Sequence, residues 1–143
     1  MLARFAEGKG YEVIKINPNW EDPLSHQIFE VGDCDIVFGF SMGAVLACMI
    51  GQKYPCHKVI LASMTPVRNL STKTIKMLGD NIAQDLKRFY YGGVTATYFY
   101  GEKELDRSLA ELRSRGVDFE IVPKTGHQLN SRYLDMIMRE FED

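Results

Sequence analysis

The feature that most limits how this chain can fold is the junction at Ser41. Asp35-Ile-Val-Phe-Gly39 is a short, mostly apolar run without polar alternation, which marks a strand covered on both faces. It passes directly into Ser41. From Met42 to Lys53 the residues are good helix formers, and the helix should stop ahead of Tyr54-Pro55. A buried strand that turns straight into a helix is the repeating unit of a parallel sheet, because parallel neighbours need a crossover that also covers the sheet.

The rest of the chain repeats this alternation. Leu2, Phe5 and Ala6 share a helical face near the start, and Gly8 and Gly10 end it. Tyr11-Glu-Val-Ile-Lys-Ile16 reads as a strand closed by Asn17-Pro18, and Pro23 to Glu30 as a short helix. Lys58-Val-Ile-Leu-Ala62 reads as a second buried strand. Thr72 to Tyr90 has Ile75, Leu78, Ile82, Leu86 and Phe89 at helical spacing, with Gly79 as a possible break. Thr95 to Tyr100 is rich in β-branched and aromatic residues, as strands are. Leu105 to Arg115 reads as a helix closed by Gly116, Asp118 to Val122 as a last strand, and Ser131 to Phe141 as a closing helix with Leu134, Ile137, Met138 and Phe141 on one side. With 143 residues and no linker, repeat or low-complexity tract, the chain reads as one α/β domain over residues 1–143. The expected architecture is a three-layer sandwich around a mostly parallel, reduced sheet of about five strands.

Composition narrows the function classes. The net charge is −2 and the basic residues are interspersed with acidic ones, which gives no footprint for nucleic acid or for an acidic membrane. No apolar run reaches the ~20 residues of a membrane span. The early charges of Met-Leu-Ala-Arg-Phe-Ala-Glu do not suit a signal peptide. The 3 cysteines, Cys34, Cys48 and Cys56, are odd in number and form no Cys-x-x-Cys, so neither a disulfide framework nor a zinc clasp is implied. Cys48 reads as a small core residue. A cytoplasmic setting is expected on these grounds.

Gly39-Phe40-Ser41-Met42-Gly43 matches Gly-x-Ser-x-Gly. Its context carries more weight than the pattern, since strand, serine and helix follow in the required order. Such a turn holds the serine in a strained backbone conformation and projects its hydroxyl beyond the carboxyl edge of the sheet. Glycines at 39 and 43 are expected to keep the turn free of collisions. The Met42 N–H lies at the helix start, where it can donate to a developing oxyanion. A phosphate-binding turn with an idle serine is the bland alternative, but neither Gly-x-Gly-x-x-Gly nor Gly-Lys-Ser/Thr occurs.

On these residues the chain resembles the α/β-hydrolase family, from about Met1 to the C-terminus. The resemblance implies a triad in the order Ser, acid, His, with the acid after the penultimate strand and the histidine after the last. His127, in Pro-Lys-Thr-Gly-His, holds the histidine position. His26 precedes the serine, and His57 lies at the amino end of a strand, away from the edge where open parallel sheets bind ligands. In Gly101-Glu102-Lys103-Glu104-Leu105-Asp106, the family's Gly-x-x-Asp form places Glu104 at the acid position. Asp106 is the main rival, and Glu102 reads as solvated.

The resemblance implies a serine hydrolase acting on a small acyl ester or thioester through an acyl-enzyme, with no metal or organic cofactor. The segment between Ala62 and Thr95, where the family inserts cap domains, has room for helices but not for a large lid. The site is thus expected to be shallow, with Met42, Met64 and Tyr100 as candidates either to line it or to pack beside it. Family members usually place a strand before the first helix, and the loop after it gives a second oxyanion donor. That strand is not found before Met1, so three remedies stand open: Tyr11–Ile16 paired directly on the Ser41 strand, which is favoured; a strand from a second copy in a homodimer; or a shortened version of a longer protein. A weak enzyme, or a non-catalytic binding or scaffold protein on the same fold, is the alternative. A Cys-nucleophile relative and an Asp-elbow dehalogenase are both opposed by Ser41.

Overall fold

The computed structural model describes residues 1–19, 21–22, 27, 29–64, 72–73, 76, 96–104 and 118–142. Its elements in chain order are helix α1 (Leu2–Gly8), strand β1 (Cys34–Phe40), helix α2 (Met42–Lys53), strand β2 (Cys56–Ala62), strand β3 (Thr97–Gly101), a 3-10 turn (Glu102–Glu104), strand β4 (Phe119–Val122) and helix α3 (Ser131–Arg139). The expected helices at 23–30, 72–90 and 105–115 fall mostly or wholly outside the described residues.

The strands form one 4-stranded sheet in the order β1-β2-β3-β4, and every neighbouring pair is parallel. Side chains alternate across it, as the period of a strand requires. Val59 and Leu61 of β2 face one side with Tyr98 and Tyr100 of β3, where they meet Ala44, Val45, Ala47 and Cys48 of α2. Ile60 and Ala62 face the other side with Phe99 and Val122, against Tyr133 and Ile137 of α3, with Leu2 of α1 packed alongside. Helices therefore cover both faces of an all-parallel sheet, and this explains why β2 has no polar alternation.

Tyr11–Ile16 departs from expectation. These residues are described, and they form no strand. The anticipated fifth strand and its direct pairing on β1 are not observed, and among the described residues the outer edge of β1 has no strand partner. The segment is held at its start by the Tyr11 N–H on the Ala6 carbonyl and by the Tyr11 ring edge-on to Phe141. Glu12, Ile14 and Ile16 line one side of a groove of about 350 Å³ whose other walls are β1 and α2. Local alternation thus made a strand-like segment, but a strand also needs a neighbour at ladder distance.

The cysteines also correct the sequence reading. Cys34 and Cys56 are opposite each other in the β1–β2 register and form a disulfide, with their Cα atoms 4.9 Å apart. Cys48 is free and buried, as expected of a core residue, and burial pushes its thiol up. No helix among the described residues is long and apolar enough to cross a membrane.

Candidate active site

The parallel sheet puts the carboxyl ends of β1, β2 and β3 side by side, and the site is built from the residues that leave those ends. Ser41 follows β1 directly. Its N–H donates to the Ala62 carbonyl of β2 at 2.9 Å, so it continues the ladder by one more bond. Its backbone then reverses, with φ 57° and ψ −120°, and α2 begins at Met42. A non-glycine residue in that region costs roughly 1–3 kcal/mol and persists where the surroundings hold it. Gly39 is what makes the turn possible: a Cβ there would sit 2.0 Å from the Gly43 carbonyl oxygen. Gly43 does not share that role, because a Cβ at 43 would meet nothing within 4 Å. Met42 opens α2, so its N–H belongs to the first turn, whose donors have no intrahelical acceptor.

His127 lies in the loop between β4 and α3. The loop is fastened at several points. Thr125 is buried, its hydroxyl donates to the Pro123 carbonyl at 2.9 Å, and its own carbonyl receives the Lys103 N–H at 2.9 Å. Asn130 caps α3 by accepting the Tyr133 N–H at 3.1 Å and reaches back to the Thr125 hydroxyl. A turn closed by the Gln128 N–H on the Gly126 carbonyl presents the imidazole. Gly101 permits the close approach of β3 to this loop, since a Cβ there would lie 2.4 Å from the Thr125 carbonyl oxygen. The Phe40 ring stands 5.2 Å from the imidazole, centroid to centroid.

Three side chains meet here. Ser41 Oγ is 2.9 Å from His127 Nε2, and His127 Nδ1 is 2.5 Å from Glu104 Oε1. The imidazole is half exposed, whereas the Glu104 side chain is only 13% exposed. The second Glu104 oxygen receives the Gly101 N–H at 2.7 Å and the Ser63 hydroxyl at 2.6 Å. A carboxylate so placed fixes the imidazole tautomer with its proton on Nδ1 and leaves Nε2 to accept from Ser41.

The sequence candidates divide clearly. Ser41, His127 and Glu104 converge. His57 is exposed at the amino end of β2, and Glu102 is exposed, accepting a long contact from the Lys124 N–H at 3.5 Å. Asp106 and His26 lie outside the described residues. Met64 and Tyr100 do not line the site: both are buried in the α2-side core, with the Tyr100 hydroxyl donating to the Met64 carbonyl. Met42 is half-buried against the same core. Ser63 and Tyr133 were not foreseen, because a lone serine after a strand and a tyrosine on an amphipathic helix carry no signal until the strands are aligned. Among the described residues no group of His, Cys, Asp and Glu side chains could hold a metal ion.

Compared with known proteins, the chain matches no family model, no curated protein and no solved structure.

Proposed function

We propose that this chain is a serine hydrolase of the α/β-hydrolase kind, cleaving a small acyl ester or thioester. The observation that carries this reading is the unbroken line from Ser41 Oγ through the His127 imidazole to Glu104. His127 Nε2 takes the hydroxyl proton as Ser41 Oγ attacks the acyl carbonyl. Glu104 stabilises the imidazolium that results, and the oxyanion faces the Met42 N–H. The imidazolium then protonates the departing alcohol or thiol, which leaves an acyl ester on Ser41. Water attacks that ester and gives its proton to His127, and the acid departs as Ser41 recovers its proton. These steps draw on no metal or organic cofactor. The exposed imidazole suits a shallow site and a small acyl group.

A non-catalytic or weakly active binding protein is the second reading. The outer edge of β1 favours it, because no strand pairs there among the described residues and Met42 is the one oxyanion donor assigned. The disulfide weighs against the cytoplasmic expectation, since such bonds persist mainly in oxidising compartments.

A fluorophosphonate probe tests the first reading. Wild type should take the label, and Ser41→Ala and His127→Ala should not. A folded wild type that stays unlabelled ends the active-enzyme reading and leaves the binding protein.

A further inference from the structure

Ser63 repeats the geometry of Ser41 one strand over. It leaves β2 directly, its N–H donates to the Phe99 carbonyl of β3 at 2.8 Å, and its φ is 51°. It is buried, with 2% of its surface exposed. Glycine would take this backbone conformation with less strain. What serine adds is a hydroxyl, and that hydroxyl lies between Glu104 Oε2 at 2.6 Å and Tyr133 Oη at 2.8 Å.

We propose that Ser63, and Tyr133 acting through it, are positioning residues of this site, forming a directed hydroxyl relay that clamps the Glu104 carboxylate in line with His127. The inference rests on the triad reading above.

Counting protons sets the direction. Glu104 as a carboxylate can only accept, so the single Ser63 proton goes to Oε2. The contact between Ser63 and Tyr133 must then use the Tyr133 proton. The Tyr133 hydroxyl also donates to the Phe99 carbonyl at 2.8 Å, an oxygen whose second lone pair receives the Ser63 N–H. The one tyrosine proton is therefore shared, in a three-centre bond, between the Phe99 carbonyl and Ser63 Oγ, both at 2.8 Å. Burial pushes the Tyr133 hydroxyl well above its ordinary range, which keeps it a donor at any working pH. The relay runs from Tyr133 to Ser63 to Glu104, and the Gly101 N–H supports the same carboxylate oxygen. With Oε2 held by two donors, Oε1 is left pointing at His127 Nδ1. Tyr133 is itself fixed because the Asn130 cap holds the first turn of α3.

The test uses Ser63→Gly, which removes the hydroxyl while suiting the backbone, together with Tyr133→Phe and the double variant. Two readouts are taken on the full chain. One is the His127 tautomer, from 15N shifts of labelled histidine assigned against His127→Gln. The other is the second-order rate of fluorophosphonate labelling. Ser63→Gly should lower the labelling rate about ten-fold, the effect of losing one charge-assisted hydrogen bond. It should also lower the fraction of His127 carrying its proton on Nδ1. Tyr133→Phe should show a smaller loss of the same kind, and none beyond Ser63→Gly in the double variant. Additive losses overturn the relay, as does a Ser63→Gly protein with wild-type tautomer and rate. If wild type takes no label, the hydrolase reading fails on its own, and the tautomer measurement still decides the clamp. Should Ser63→Gly not fold, Tyr133→Phe carries the same two readouts.

Discussion

The two flanks of Ser41 are built to different standards. Toward β2 and β3, every group is tied down: His127 touches Ser41 and Glu104, Glu104 accepts from two further donors, and the histidine loop is bound to the turn after β3. Toward the outer edge of β1, the sheet stops among the described residues, and a groove separates it from the irregular segment that holds Ile14 and Ile16. The side proposed to move the proton is fixed by hydrogen bonds whose partners come from the ends of strands already in register. The side proposed to face the oxyanion has the Met42 N–H and, among the described residues, a strand edge with no strand partner. A site of this kind can activate its serine fully and still stabilise the tetrahedral intermediate poorly, since one missing oxyanion donor costs about 10²–10³-fold in rate.

The sharpest way to break the contrast is Glu104→Gln. A glutamine can turn its amide NH₂ toward His127 Nδ1, which favours the tautomer with its proton on Nε2 and takes away the acceptor Ser41 needs. Labelling should fall by about 10³–10⁴-fold with the fold intact, because the side chain keeps its size. A loss below ten-fold would place the main barrier on the oxyanion side instead, and would reverse the ranking of the two flanks.

Next in size is the pair Gly39→Ala and Gly43→Ala, which separates the strand side of the turn from its helix side. A Cβ at 39 would meet backbone atoms of Gly43 and Ala44 that cannot swing away. That substitution should destabilise the fold by more than about 3 kcal/mol, read from urea unfolding, because backbone is forced to move. Gly43→Ala meets open space and should stay within about 0.5 kcal/mol of wild type or gain slightly in helix propensity. Equal losses would show that the glycines act through helix formation rather than through the close approach at 39.

How much of this was legible in the sequence follows the same divide. The Ser41 elbow and the strands read as ending at Ala62, Tyr100 and Val122 were legible because each depends on neighbours in the chain: a strand, a turn residue, a helix start. His127 and Glu104 came from the triad order that the resemblance implies, and the third strand runs one residue further, to Gly101. What failed depends on pairing between distant segments. Tyr11–Ile16 has a strand's composition but no ladder partner. Ser63 and Glu104 meet only because β2 and β3 are adjacent and in register. For Met64 and Tyr100 lining and packing were equally open from the sequence, and the structure sends both into the core on the α2 side. The role of Gly43 was overstated for a similar reason, since a motif shows that a glycine is present and not which atom it avoids.

Cys34 and Cys56 are the last such case, and the smallest lever on the comparison. They lie 22 residues apart, and nothing local connects them; the β1–β2 register alone puts them together. The bond sits at the amino ends of the strands, opposite the edge that carries Ser41, and it ties β1, the outermost strand among the described residues, to the core strand β2. Closing a loop of this length removes unfolded-state entropy worth about 3 kcal/mol. Reduction, or Cys34→Ala with Cys56→Ala, should therefore lower the unfolding midpoint by an amount corresponding to about that loss, while the labelling rate of the folded protein stays within about two-fold of wild type. An unchanged rate would show that the ladder bond from the Ser41 N–H to Ala62 is enough to hold the elbow. A rate that falls with reduction would mean that β1 shifts as a unit when its far end is released, and that the open flank depends on a bond at the other end of the sheet.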